Sequence, residues 1–174
     1  IILLLSAVLR LYHLGDVPFM HDEFSALSRT CYDNFRDLIR EGVMLHDSHP
    51  AGVQVFLFLL VKVFGWNEFW LKLPFALMGV ASVYLVFVIA RQWFNKNVAL
   101  VSAAFVSVSE LFVFYSQLIR PYSPGLFFVL LLVYFWNKML SPDERFSVGT
   151  CAGFALSAFC AAEIQILSMM QAGI

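Results

Sequence analysis

The chain has 174 residues, of which 61% are hydrophobic and only 13% charged, with a formal net charge of −1 and a mean hydropathy of +0.80. Soluble globular domains carry about 45–50% apolar and about 25% charged residues, so the composition excludes an ordinary soluble domain and predicts an integral membrane protein. A near-neutral chain without a basic cluster also excludes a nucleic-acid partner.

Only helices and closed barrels satisfy their own backbone groups in lipid. The apolar blocks lack strand-type alternation, so the expected fold is all-α, a polytopic membrane helical bundle with amphipathic juxtamembrane helices in its first outer loop. The first block, residues 1–12, is shorter than the roughly 20 residues a spanning helix needs. It reads as the remaining part of a membrane helix in a larger protein, and the fragment alone is not expected to turn over. No signal-peptide cleavage pattern is visible. Residues 13–72 form the outer loop, and membrane helices are expected over 73–90, 97–115, 122–140 and 146–174.

Inside the loop, residues 13–50 hold all four histidines and seven of the twelve acidic residues. Residues 23–40 read as one helix, because Phe24, Leu27, Cys31, Phe35 and Leu38 recur at three- and four-residue spacing. Asp22 then stands at its N-cap with Glu23 in the first turn. The block 51–66 is short and contains Lys62. Placing it at the outer interface puts Arg91, Lys96, Lys138 and Arg145 inside, which satisfies the positive-inside rule better than a spanning placement does. The acidic loop and the segment 115–123 then open on the same face. Three cysteines (Cys31, Cys151 and Cys160) make no disulfide or CxxC framework, and the last two read as small core residues.

Candidate chemistry gathers at three places. Asp22 and Glu23 read either as a helix start that complements the dipole or as a general base for an acceptor hydroxyl. Asp47 and His49 are a polar turn closed by Pro50, or ligands for a divalent ion such as zinc or manganese. Arg10 and Arg120-Pro-Tyr122 are membrane anchors in an aromatic belt, or forks for a phosphate. Outer-face arginines run against the positive-inside bias, which favours the phosphate reading. Glu110 and Glu163 lie in apolar blocks, where carboxylates are costly.

Five segments in order carry a resemblance: Arg10-Leu-Tyr-His-Leu-Gly15, Pro18-Phe-Met-His-Asp-Glu23, Asp47-Ser-His-Pro-Ala-Gly52, Phe64-Gly-Trp-Asn-Glu-Phe-Trp-Leu-Lys-Leu-Pro74 and Tyr115-Ser-Gln-Leu-Ile-Arg-Pro-Tyr122. Together they resemble the N-terminal part of the GT-C glycosyltransferases, in particular bacterial protein O-mannosyltransferases and aminoarabinose transferases. The resemblance implies a multi-pass enzyme of the cell membrane, in bacteria the inner membrane, working on the extracytoplasmic side. It would move a sugar, with inversion, from a polyprenyl-phosphate donor to a protein, lipid or glycan acceptor. It maps the acidic base onto Asp22 with Glu23 beside it, the His-Pro motif onto His49-Pro50, and the arginine segment onto Arg120 and Tyr122. Lys72 stands where relatives usually carry arginine and joins Arg10, Arg120 and Tyr122 as a candidate for substrate or phosphate binding. Ala51 replaces a usual second proline and Leu118 a frequent acidic residue, which weakens the metal role more than the Asp22 role. No cofactor is certain from the sequence, and a divalent metal ion is admitted, with Asp47 and His49 as its candidate ligands. A transporter and a non-catalytic membrane scaffold are the rival readings. A transporter predicts paired broken helices and inverted repeats, which the sequence does not display.

Overall fold

The computed structural model describes residues 1–45, 50–141 and 147–164. It is all-α, with no strand among the described residues. The first helix, α1 (Ile2–Leu11), ends at Tyr12, and His13 turns the chain away in a left-handed conformation at φ 53°. Histidine tolerates that region better than most residues, and its ring is bonded to Asp16. This histidine belongs to a turn.

The loop helices differ from the single helix expected over 23–40. Helix α2 covers only His21–Ser28, and a short α3 (Phe35–Asp37) runs into a π-helical segment, Leu38–Leu45. Thr30 ends the first piece by turning both its backbone N–H and its hydroxyl onto Leu27 O, at 2.9 and 2.7 Å. Asn34 starts the second by accepting from Asp37 N at 2.9 Å, an ordinary N-cap bond. Accordingly Phe24 and Phe35 are more than half exposed, while Leu27 and Leu38 are fully buried. The N-cap of α2 is Met20, which leaves Asp22 inside the first turn.

Helix α4 (Gly52–Phe64) has 13 residues, about 20 Å at 1.5 Å per residue, against a hydrocarbon core of about 30 Å. The long central helix is α5 (Glu68–Trp93), capped by Asn67 accepting from Trp70 N at 3.1 Å. Pro74 lies within it, and Ser123 donates to the next carbonyl, Phe75 O, at 2.9 Å. Helices α1, α6 (Lys96–Val108) and α8 (Tyr122–Leu140) pack on α5, and α9 (Val148–Ile164) packs on α8. Among the described residues, α5 and α8 are long and apolar enough to cross a membrane.

The helix expected over 97–115 is broken. It consists of α6 and α7 (Glu110–Ser116), bent by 59° at Ser109, whose ψ of 123° is extended. Neither proline nor glycine marks the site. The break survives because its exposed carbonyls are satisfied from another helix, as described below.

A buried cluster of Ala26, Leu27, Val53, Leu57, Leu71, Phe75, Ile119 and Ile164 joins the loop helices to α5 and to the connection between α7 and α8. The helices between α1 and α5 are therefore packed onto the bundle, and that packing sets the position of the site.

Candidate functional site

Helix α2 buries one narrow face, made of Glu23, Ala26 and Leu27, all at most 1% exposed. The three- and four-residue spacing places these side chains together. Asp22, one position back, consequently points off the buried face, and its side chain is 60% exposed. Burial of Glu23 would be costly without partners, and both its oxygens are occupied. Oε2 accepts from Met20 N at 2.9 Å, completing one half of a capping box. Oε1 accepts from Ile119 N at 2.9 Å, across 96 positions of sequence.

That second bond brings the segment between α7 and α8 against the start of α2. Arg120 follows Ile119, and its Nε lies 2.8 Å from Asp22 Oδ2. The two groups form an ion pair whose N–H direction lies off the hydrogen-bond line. Arg120 is 14% exposed, so the pair has one wet and one sheltered member. The loop carboxylates and the arginine of segment 115–123 thus meet at one end of the bundle. Tyr122 stands beside them, 39% exposed, its ring 4.5 Å from that of Tyr115.

Lys72, on α5, is 1% exposed. Its ammonium donates to Val17 O at 2.8 Å and sits 5.4 Å above the Phe19 ring, which ties the loop just ahead of Asp22 to the bundle. An ammonium has three donors, so capacity remains for a ligand.

Arg10 is buried more deeply than an anchoring role requires, at 1% exposure. Nη1 donates to Ser6 Oγ at 2.8 Å and to Ser107 O at 3.1 Å, and Nη2 donates to Val106 O at 3.1 Å. Those carbonyls belong to the last turn of α6, where a helix end leaves orphan acceptors and lipid offers no water to meet them. The guanidinium is thus the cap that permits the break at Ser109. Gln117 returns the favour from the end of α7: its Nε2 donates to Leu9 O, Arg10 O and Tyr12 O at 3.4, 3.2 and 3.3 Å. Arg10 also lines a cavity of about 160 Å³ with Ser82, Tyr115, Ser116, Tyr122 and Ser123.

Gly79 on α5 makes room for this arrangement. A Cβ there would lie 2.6 Å from Ser116 Cβ and 3.0 Å from Arg10 Nε. Gly79→Ala is expected to lower stability by about 1–3 kcal/mol, the usual cost of overpacking. A thermal unfolding scan in detergent checks this, and an unchanged midpoint would show that the helices part freely.

Asp47 and His49, the weaker metal candidates, lie outside the described residues, and among the described residues no three His, Cys, Asp or Glu side chains gather as a metal cluster. Glu110 is exposed in the first turn of α7. Glu163 is half-buried on the edge of an apolar cavity of about 360 Å³ between α4 and α9. Two groups at the site lie outside the sequence-based expectations, Gln117 and the Ile119 N–H. Gln117, a long amide at the end of an apolar helix, was a readable signal, whereas a backbone donor leaves none.

The sequence model of the dolichyl-phosphate-mannose-protein mannosyltransferase family matches residues 48–170. The match takes in Lys72, Arg120 and Tyr122 and begins after Asp22. An uncharacterized protein of Aquifex aeolicus (strain VF5) is 34% identical over 86 residues, which is 49% of this chain and 17% of that relative. No solved structure matches. The family match covers well over half of a helical, multi-pass membrane chain, and the chain belongs to the dolichyl-phosphate-mannose-protein mannosyltransferase family of GT-C glycosyltransferases.

Proposed function

We propose that the full-length protein transfers a sugar from a polyprenyl-phosphate donor to a hydroxyl acceptor (protein, lipid or glycan) on the extracytoplasmic face of a cell membrane, in bacteria the inner membrane. The observation that carries this reading is the pairing of an exposed carboxylate, Asp22, with a sheltered arginine, Arg120, at 2.8 Å. In the proposed reaction Asp22 removes the proton as the acceptor oxygen attacks the anomeric carbon. The bond from that carbon to the phosphate oxygen breaks on the opposite face, giving inversion, and polyprenyl phosphate leaves. The departing phosphate is met by Arg120, whose planar fork suits phosphate, with Lys72 and Tyr122 as further contacts. Positive groups already in place lower the barrier because they need no reorganisation as charge develops. Arg10 is the weaker phosphate ligand of the group, since both its terminal nitrogens donate to protein oxygens.

One observation favours a transporter: the bent α6–α7 helix, since broken helices frame many transport sites. Its break is filled by the Arg10 side chain, which supports a structural break over a substrate path. Reconstituting the full-length protein in proteoliposomes with labelled polyprenyl-phosphate mannose separates the two. The transferase reading expects label covalently on an added acceptor with inverted anomeric configuration. Label crossing the bilayer unchanged, with none on the acceptor, would overturn it.

A further inference from the structure

Asp22 and Glu23 are neighbours in sequence but occupy opposite environments. Asp22 faces solvent and Arg120, whereas Glu23 is fully buried and holds two backbone N–H groups, one at the start of α2 and one at Ile119. The residue adjoining each end of this bridge matters. Glu23 follows Asp22, and Ile119 precedes Arg120. A single carboxylate therefore spans the gap between two segments whose adjacent residues form the ion pair.

We propose that Glu23 is a positioning residue that sets the Asp22–Arg120 geometry and takes no part in proton transfer. The inference rests on the reading of Asp22 and Arg120 as the working pair. The bridge needs an acceptor of glutamate length; it does not need basicity. Both Glu23 oxygens accept from backbone amides and the side chain is fully buried, so a substrate has no access to their remaining lone pairs. Ile119 itself is fully buried in the cluster under α2, so its N–H cannot turn to water for a substitute partner. Losing the acceptor frees the segment to shift, and displacements of about 1 Å at a reacting centre cost about 100-fold in rate.

The test uses the full-length protein with Glu23→Gln, Glu23→Asp and Glu23→Ala. Gln keeps an oxygen for Ile119 N–H and should retain kcat within about tenfold, the loss of roughly one hydrogen bond. Asp is one methylene too short to reach both partners, and Ala reaches neither, so both should lose about 100-fold in kcat. A second measurement is independent of activity and of folding yield. In a cysteine-free background, Asp22→Cys with Arg120→Cys is treated with a short bis-thiol reagent, and the folded fraction is scored. Cross-linking should be efficient with Glu23 or Glu23→Gln and fall about tenfold or more with Glu23→Ala. Cross-linking in Glu23→Ala at the wild-type rate would overturn the proposal. So would a Glu23→Gln protein as inactive as Glu23→Ala while its cross-link forms normally, because the charge itself would then be used. If Asp22→Asn transferred sugar normally, the base assignment would fall, whereas the cross-linking result would still report whether Glu23 holds the two segments together.

Discussion

Asp22→Asn in the full-length protein is expected to lower sugar transfer by about 10²- to 10⁴-fold, the usual contribution of a positioned general base, with membrane insertion unchanged. The substitution keeps the size and shape of the side chain. The segment 117–120 should remain in place, because it is held by Glu23 and Gln117. What disappears is the lone pair able to take a proton from the acceptor. Asp22 is 60% exposed but pairs with a sheltered guanidinium, so losing its charge should lower stability by about 0–1 kcal/mol and leave the protein folded. That separates it from Glu23, where the same neighbouring carboxylate is sealed from water. The measurement is initial-rate transfer of labelled sugar, normalised to the amount of folded protein. Normal transfer by Asp22→Asn would remove Asp22 from the mechanism. A loss of rate accompanied by a loss of folded protein would assign it a structural role.

Much of this site was legible in the sequence, and the rest was hidden for identifiable physical reasons. The meeting of the acidic loop with Arg120 followed from counting charges on alternate sides of the membrane, because charge distribution is a property of composition. The division of labour between Asp22 and Glu23 was not readable, since adjacent residues of like charge differ only in which face of α2 they occupy. That face is chosen by Ala26 and Leu27 docking on Ile119 and Leu57. The rupture of the predicted helix over 23–40 was partly readable: Asn34 and Asp37 carry a capping pattern, outweighed in the sequence by the apolar spacing of Phe24, Cys31 and Phe35. The bend at Ser109 left no local trace. It depends on carbonyl acceptors of α6 finding an arginine almost a hundred residues away, and tertiary contacts of that kind override local propensity.

Arg10→Met is expected to be the most damaging single substitution for stability. Methionine matches much of the apolar length of arginine but donates no hydrogen bond. It would leave Val106 O and Ser107 O without their caps, and Ser6 Oγ without its ionic partner. Bonds from a charged donor contribute about 1.5–3 kcal/mol each, and each buried carbonyl left without a donor costs about 1–3 kcal/mol. Either α6 and α7 straighten, breaking the contact of Ser116 with Gly79, or the carbonyls stay open to lipid. Both outcomes also displace Gln117 and with it the segment bearing Arg120, so activity should fall with stability. Arg10→Lys tests the geometry, because an ammonium can reach one carbonyl but cannot fork between Val106 O and Ser107 O. It should recover part of the loss in unfolding midpoint. The rival assignment, Arg10 as a ligand of the donor phosphate, predicts another pattern: an unchanged midpoint in Arg10→Met with a raised KM for the polyprenyl-phosphate sugar. Thermal unfolding and donor titration on the same preparation distinguish them. A stable Arg10→Met protein would show that the α6–α7 bend holds without its buried cap.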